Sequence, residues 1–217
     1  MLDYIISMLY TVVAFLFALT FHEWAHAYAA YRLGDPTAYN AGRMTLNPLA
    51  HIDIVGLLCV IFLGFGWAKP VPVNPRNFGR LRRDSIIVSL AGVTTNLLLA
   101  IVFTPLTMFC LSAWVSSGQQ SVLLEVCYTL TQSFVSINVV LAVFNLLPIP
   151  PLDGFNVVED LLIRRVGPAP FMWMRRNSLI ILIVMLMVLR FTNVLSTVAG
   201  GIIGLLWSLF SPIMGLF

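Results

Sequence analysis

The sequence predicts an all-α polytopic membrane protein with three full spans, a re-entrant segment after the first, and one or two further C-terminal spans. Three observations carry this. Of 217 residues, 59% are hydrophobic and only 10% charged, against about 25% charged in an average soluble domain. The mean hydropathy is +0.95. The apolar residues also fall in long uncharged runs, separated by short segments that hold nearly all the Lys and Arg. Such a chain has too little charge to coat a globule and too much hydrophobicity for disorder. No linker divides it, so residues 1–217 read as a single integral membrane domain.

The first run, between Asp3 and His22, holds 18 uncharged residues, close to the roughly 20 that span a bilayer as a helix. Its pattern continues to Tyr31 and stops at Gly34-Asp35-Pro36, a strong breaker. It lacks the basic flank of a secretory signal and is read as retained. Ile54–Ala68 is apolar but has only 15 residues, three of them glycine. A span over about Ile86–Val115 follows, closed by the polar turn Ser116–Gln120. The next span, Val126–Leu152, breaks at Pro148, Pro150 and Pro151. Residues 177–217 are apolar except for Arg190 and contain Gly200-Gly201, which gives one long span or two short ones.

The net charge of +3 does not point to nucleic acid, because its positives mark topology. If Ile54–Ala68 enters the membrane and returns, 11 of the 12 Lys and Arg fall on one face. A crossing would split them, so the positive-inside rule favours re-entry, with protein or a water cavity covering the segment. The same rule puts the N-terminus outside and the basic segments 69–83 and 151–176 in the cytoplasm. Cys59, Cys110 and Cys127 lie in uncharged runs without CxxC spacing and read as small apolar residues.

Chemistry concentrates at His22-Glu23-Trp24-Ala25-His26. Residues four apart share one helix face, so both imidazoles can reach one metal ion. Glu23, offset around the helix, can serve as general base without being a ligand. Ionisable residues inside a span are costly and functional by default. The competing reading is a polar cluster at the membrane–water boundary. Hydrolytic zinc sites generally take three protein ligands, and topology selects the third. The first and third spans both run outside to inside, which puts Asp153 at the depth of the histidines, whereas Glu125 lies on the opposite face. The prolines before Asp153 and Gly154 after it supply irregular backbone that can aim its carboxylate inward.

The histidine motif in a first span, followed by Asn145…Pro148…Leu152-Asp153-Gly154, resembles the site-2 protease family of intramembrane zinc metalloproteases, in its short prokaryotic form without a PDZ domain. Gly66-Trp67-Ala68-Lys69-Pro70-Val71-Pro72-Val73-Asn74-Pro75 and Ala91-Gly92-Val93-Thr94-Thr95-Asn96 resemble it too, although Val93 stands where the family commonly has proline. The resemblance covers about residues 15–160. It implies a three-helix catalytic core over about residues 4–160, one zinc held by His22, His26 and Asp153, and Glu23 as catalytic base. It further implies that Asn145 engages substrate backbone. The expected partners are a transmembrane protein substrate and the lipid bilayer, with no nucleic acid. The expected location is the cell membrane, with the active site toward the cytoplasm.

Among the remaining residues, Asn96 and Asn138 sit in apolar runs and suit hydrogen bonding between helices; Asn96 is also carried as a second candidate for substrate contact. His51 is expected at the interface. The prolines of Lys69–Pro75 forbid helix and favour an extended strand or hairpin, able to hold a substrate by strand addition, or else a basic surface loop. Two other functions compete: a metal-ion transporter using the same His and Asp residues, and an inactive protein that grips transmembrane helices.

Overall fold

The computed structural model describes residues 2–212; Met1 and residues 213–217, the end of the last apolar stretch, lie outside the described residues, as do the side chains of residues 2–4 and 63. Among the described residues the chain is helical, and three helices are long and apolar enough to cross a membrane. These are α1 (Leu2–Arg32), α4 (Leu81–Ser116) and α5 (Val122–Asn145). Between α1 and α4 lie the short α2 (Thr37–Asn40) and α3 (Ile54–Leu63). After α5 come α6 (Asp153–Val166), α7 (Ala169–Arg176), α8 (Ser178–Thr192) and α9 (Val194–Phe210).

Helices α1, α4 and α5 pack against one another as a three-helix core. Lipid tails are as apolar as the side chains, so this packing relies on close approach and hydrogen bonds. Ala14, Ala18, Ala27 and Ala30 on α1 are fully buried, which lets the neighbouring backbones come near. Each helix contributes one ring to an aromatic trio: Phe17 lies 5.7 Å from Phe103 and 4.8 Å from Phe134, and Phe103 lies 4.9 Å from Phe134. Helix α9 packs on α5 and α4 through Ala199, Ile202, Ile203 and Leu206.

Helix α3 goes in and comes back. Asp53 caps its start by accepting from Gly56 N at 2.8 Å, and Gly64, at φ +70°, closes its end. Ten residues rise about 15 Å, half of the roughly 30 Å hydrocarbon core. Ile52 and Ala68 then form an antiparallel bridge, and Lys69 N donates to His51 O at 2.9 Å, so the excursion ends where it began. Gly56 and Gly66 permit the tight return, since a Cβ on either would collide with main chain of the other limb. Val60 seals α3 against Phe15 and Leu19 of α1.

Several boundaries differ from the expected ones. Helix α4 starts at Leu81 and takes in Arg82, Arg83 and Asp84, because long Arg side chains can reach the interface and the buried Asp84 closes the helix start by accepting from Arg80 N at 2.7 Å. The third span stops at Asn145, ahead of Pro148, and Asp153 opens the separate helix α6. The C-terminal stretch resolves into two short helices, α8 and α9, parted at Asn193, which adopts φ +53°. Residues 69–74 form no strand; Ala68 carries the single bridge of that limb among the described residues. His51 is fully buried, its Nε2 donating to Thr45 O at 2.8 Å. No disulfide forms: Cys110 is buried and Cys59 and Cys127 are half-buried as free thiols.

Asp35 ties the end of α1 to the segment before α4. Fully buried, it accepts from Thr37 N at 3.1 Å, Asn74 N at 2.7 Å and Asn77 Nδ2 at 2.7 Å, and from the Thr37 hydroxyl. Burial alone would raise its pKa, but the hydrogen bonds from Thr37, Asn74 and Asn77 prevail and hold it below the usual carboxylate range. A depressed folded pKa contributes stability above the unfolded value of about 4, and that contribution is lost as pH falls through the folded value. Asp35→Asn is therefore expected to cost about 1–3 kcal/mol at neutral pH and to flatten the acid limb of stability. Thermal unfolding in detergent across that pH range measures both effects; superimposable profiles for the two proteins would contradict this role.

Candidate active site

The C-terminal parts of α1 and α5 and the first half of α4 meet around one point. His22, Glu23 and His26 lie on the last turns of α1 and are 5%, 7% and 8% exposed. Asp153 arrives from the turn beyond α5. Gly154 makes that turn possible, because a Cβ there would strike the carbonyls of Leu146 and Leu147. His22 Nε2 and His26 Nε2 are 2.9 Å apart, and Asp153 Oδ2 lies 3.2 Å from the first and 3.3 Å from the second. Gly92 of α4 leaves room for the rings: a Cβ there would sit 2.5 Å from His22 Cε1 and 2.6 Å from His26 Nε2.

The hydrogen bonds behind the rings decide what these atoms can do. His26 Nδ1 lies 2.7 Å from Val88 O, a carbonyl that can only accept, so Nδ1 carries the proton. His22 Nδ1 lies 2.7 Å from Asn96 Oδ1. The Asn96 amide is oriented by Ala18 O, to which its Nδ2 donates at 3.2 Å, so its oxygen faces His22 and Nδ1 again donates. A neutral imidazole carries a single N–H. With both rings neutral, as metal ligation requires, both Nε2 atoms present lone pairs to each other and to the Asp153 carboxylate. Asp153 Oδ2 is buried without a hydrogen-bond donor. Three converging electron-pair donors repel one another unless a cation lies among them, and two imidazoles with a carboxylate are a donor set that suits zinc. Among the described residues, this trio is the one such grouping of His, Cys, Asp or Glu.

Glu23 is held differently. Its Oε2 accepts from the main-chain N–H of Val71 at 2.8 Å. The segment carrying Val71 is pinned by Arg43, whose Nη2 donates to Lys69 O at 2.7 Å and Pro70 O at 3.3 Å, and further on by Asp35. The site opens into a cavity of about 820 Å³, bordered by Glu23, Val71, Asn145 and Asp153 among others. Asn145 is half-buried on this cavity, its Nδ2 donating to Leu141 O at 3.0 Å. Asn96 does not border it. Its side chain is fully buried, with His22, Ala18 and Asn138 taking up the amide, so the substrate contact considered for it does not arise from this geometry.

The structure thus brings His22, Glu23, His26 and Asp153 together and places Asn145 beside them. The roles of Val71 N–H, Arg43 and Val88 O were not foreseeable, since two act through main chain and Arg43 lies in a loop with no motif. Asn96 and Asn138 did leave a signal, as amides in apolar runs.

Comparison with known proteins gives the family. The model of peptidase family M50 matches residues 79–189. The "Putative zinc metalloprotease YwhC" of Bacillus subtilis is 43% identical over 157 residues, 71% of this chain and 69% of that protein. The "Putative zinc metalloprotease Rip2" of Mycolicibacterium smegmatis is 31% identical over 73% of this chain and 59% of its own. Its namesake in Mycobacterium tuberculosis is 29% identical over 68% and 55%. The chain thus spans less than two thirds of the two mycobacterial relatives. No solved structure matches. With the family model laid over half of its sequence and a relative this similar across most of both chains, the protein belongs to peptidase family M50, the site-2 protease family that its motifs resemble.

Proposed function

We propose that the protein is a zinc metalloendopeptidase that hydrolyses peptide bonds within or beside the transmembrane segments of other membrane proteins. The observation that carries this reading is the convergence of three potential metal donors, His22 Nε2, His26 Nε2 and Asp153 Oδ2, toward the C-terminal end of a span and next to the Glu23 carboxylate. His22, His26 and Asp153 would hold the metal. The chemistry zinc supplies when bound to such a set is polarisation of the scissile carbonyl and easier deprotonation of water.

The chain's own residues do the rest. Val71 N–H holds Glu23 Oε2 and leaves Oε1 to take a proton from the attacking water and pass it to the leaving amine. Asn145, at the cavity wall, is positioned to bind the main chain of an unwound substrate. The charge distribution supports an N-terminus outside the cell membrane and a site opening toward the cytoplasm.

Purified protein in liposomes with a panel of transmembrane substrates should cleave at least one of them, and a chelator should stop it. Glu23→Gln keeps the shape of the side chain but cannot accept the proton. It should retain zinc and lose about 10²-fold or more in rate, while Asp153→Ala should lose zinc and activity together. Full zinc occupancy in Asp153→Ala would reject the ligand set, near-normal cleavage by Glu23→Gln would reject the mechanism, and metal flux undiminished in that variant would favour a transporter.

The orientation is tested by single cysteines in a background lacking Cys59, Cys110 and Cys127, labelled on intact cells with an impermeant thiol reagent. Labelling is expected at Ser117 and not at Asn77 or Gly167. Outside labelling at Asn77 would reverse the assignment of the basic segments to the cytoplasm.

A further inference from the structure

We propose that Asn138, on α5, is a positioning residue of the metal centre, and that it acts through Asn96 to keep His22 in the tautomer that leaves Nε2 bare. The inference rests on the ligand set of the proposed function and adds to it a residue that touches neither metal nor substrate.

The geometry is a directed chain of hydrogen bonds across all three core helices. It starts at Phe134 O, a helix carbonyl that can only accept. Asn138 Nδ2 donates to it at 2.8 Å, which forces Asn138 Oδ1 to face the other way. There it accepts from Asn96 Nδ2 at 2.8 Å. Asn96 in turn offers Oδ1 to His22 Nδ1 at 2.7 Å. Asn96 and Asn138 are both 0% exposed, so no water can replace either partner. A primary amide can rotate by half a turn and exchange its donor for its acceptor. If Asn96 did so, Nδ2 would face His22 Nδ1 and draw the ring proton to Nε2, where it would point at the metal position. Two oxygens oppose that rotation: Ala18 O, at 3.2 Å, and Asn138 Oδ1, at the shorter distance. Partners behind metal-binding histidines fix tautomer and ring orientation in this way, and losing them costs about 10–100-fold in metal affinity.

The experiment uses the full chain in detergent, with zinc affinity measured by competition against a chelating dye. The His22 tautomer is read separately, from ¹⁵N-histidine spectra of metal-stripped protein at a pH where imidazole is neutral. Asn138→Leu, similar in size but unable to hydrogen bond, should bind zinc about 10-fold or more weakly and show a population of His22 protonated on Nε2. Asn138→Asp should restore both, because a carboxyl kept neutral by its apolar surroundings donates through O–H to Phe134 O and accepts through C=O from Asn96. Should the leucine variant fail to fold, Asn138→Thr, which accepts through its hydroxyl but is shorter, should fall between wild type and loss. Zinc affinity within twofold of wild type in Asn138→Leu, with His22 still protonated on Nδ1, would overturn the relay while leaving the ligand set standing. Wild-type protein whose zinc affinity does not depend on His22 would overturn the ligand set itself, and the relay with it.

Discussion

Everything in the core is arranged around one electrostatic constraint. The Nε2 atoms of His22 and His26 and the Asp153 carboxylate converge within 3.3 Å of one another inside the helix bundle. In water, imidazole exchanges protons and partners freely; inside a helix bundle each N–H needs a fixed acceptor. Val88 O and Asn96 Oδ1 are those acceptors, and both come from the first half of α4. The geometry of the trio is consequently a property of how α4 lies against α1, more than of the histidine-bearing helix alone.

That requirement explains the small side chains around it. The imidazoles reach their partners on α4 only if the two backbones are close, which Ala18 on one side and Gly92 on the other allow. Further along, the trio of Phe17, Phe103 and Phe134 fills the seam with bulk where no chemistry is needed. Helix α3 covers α1 from a third side without crossing, so the short apolar run that is too small for a span becomes a wall. Arg175, linked to Glu159 and Asn156 and stacked over Phe155 at 5.1 Å, fastens α7 to α6 at the wall of the cavity.

What could be read from the sequence followed from periodicity and charge. The spacing of His22 and His26 puts them on one face, and the shared direction of the first and third spans selects Asp153. The re-entry of Ile54–Ala68 was visible in the distribution of Lys and Arg, and the paired ends of α3 show the return directly. Other features had no such signature. Helix α6 mixes Asp153, Glu159, Asp160, Arg164 and Arg165 with scattered apolar residues, and it adjoins a proline-rich turn that reads as loop. The direction of the Asn96 amide depends on atoms 78 and 42 positions away in the chain. The division between α8 and α9 rests on a left-handed Asn193, a conformation that asparagine tolerates but does not announce.

The contact between Glu23 and Val71 has a bearing on how the protein tolerates change. The donor is an amide of the main chain, and every amino acid except proline offers the same N–H. Substitutions at position 71 can alter the size and shape of the cavity wall while the carboxylate stays aimed. Prolines at 70 and 72 already stiffen the chain on either side, so the aim does not depend on the identity of the side chain between them. Variation in what the cavity admits is in this way separated from the placement of the Glu23 carboxylate: the wall can drift over evolutionary time, and the carboxylate need not drift with it.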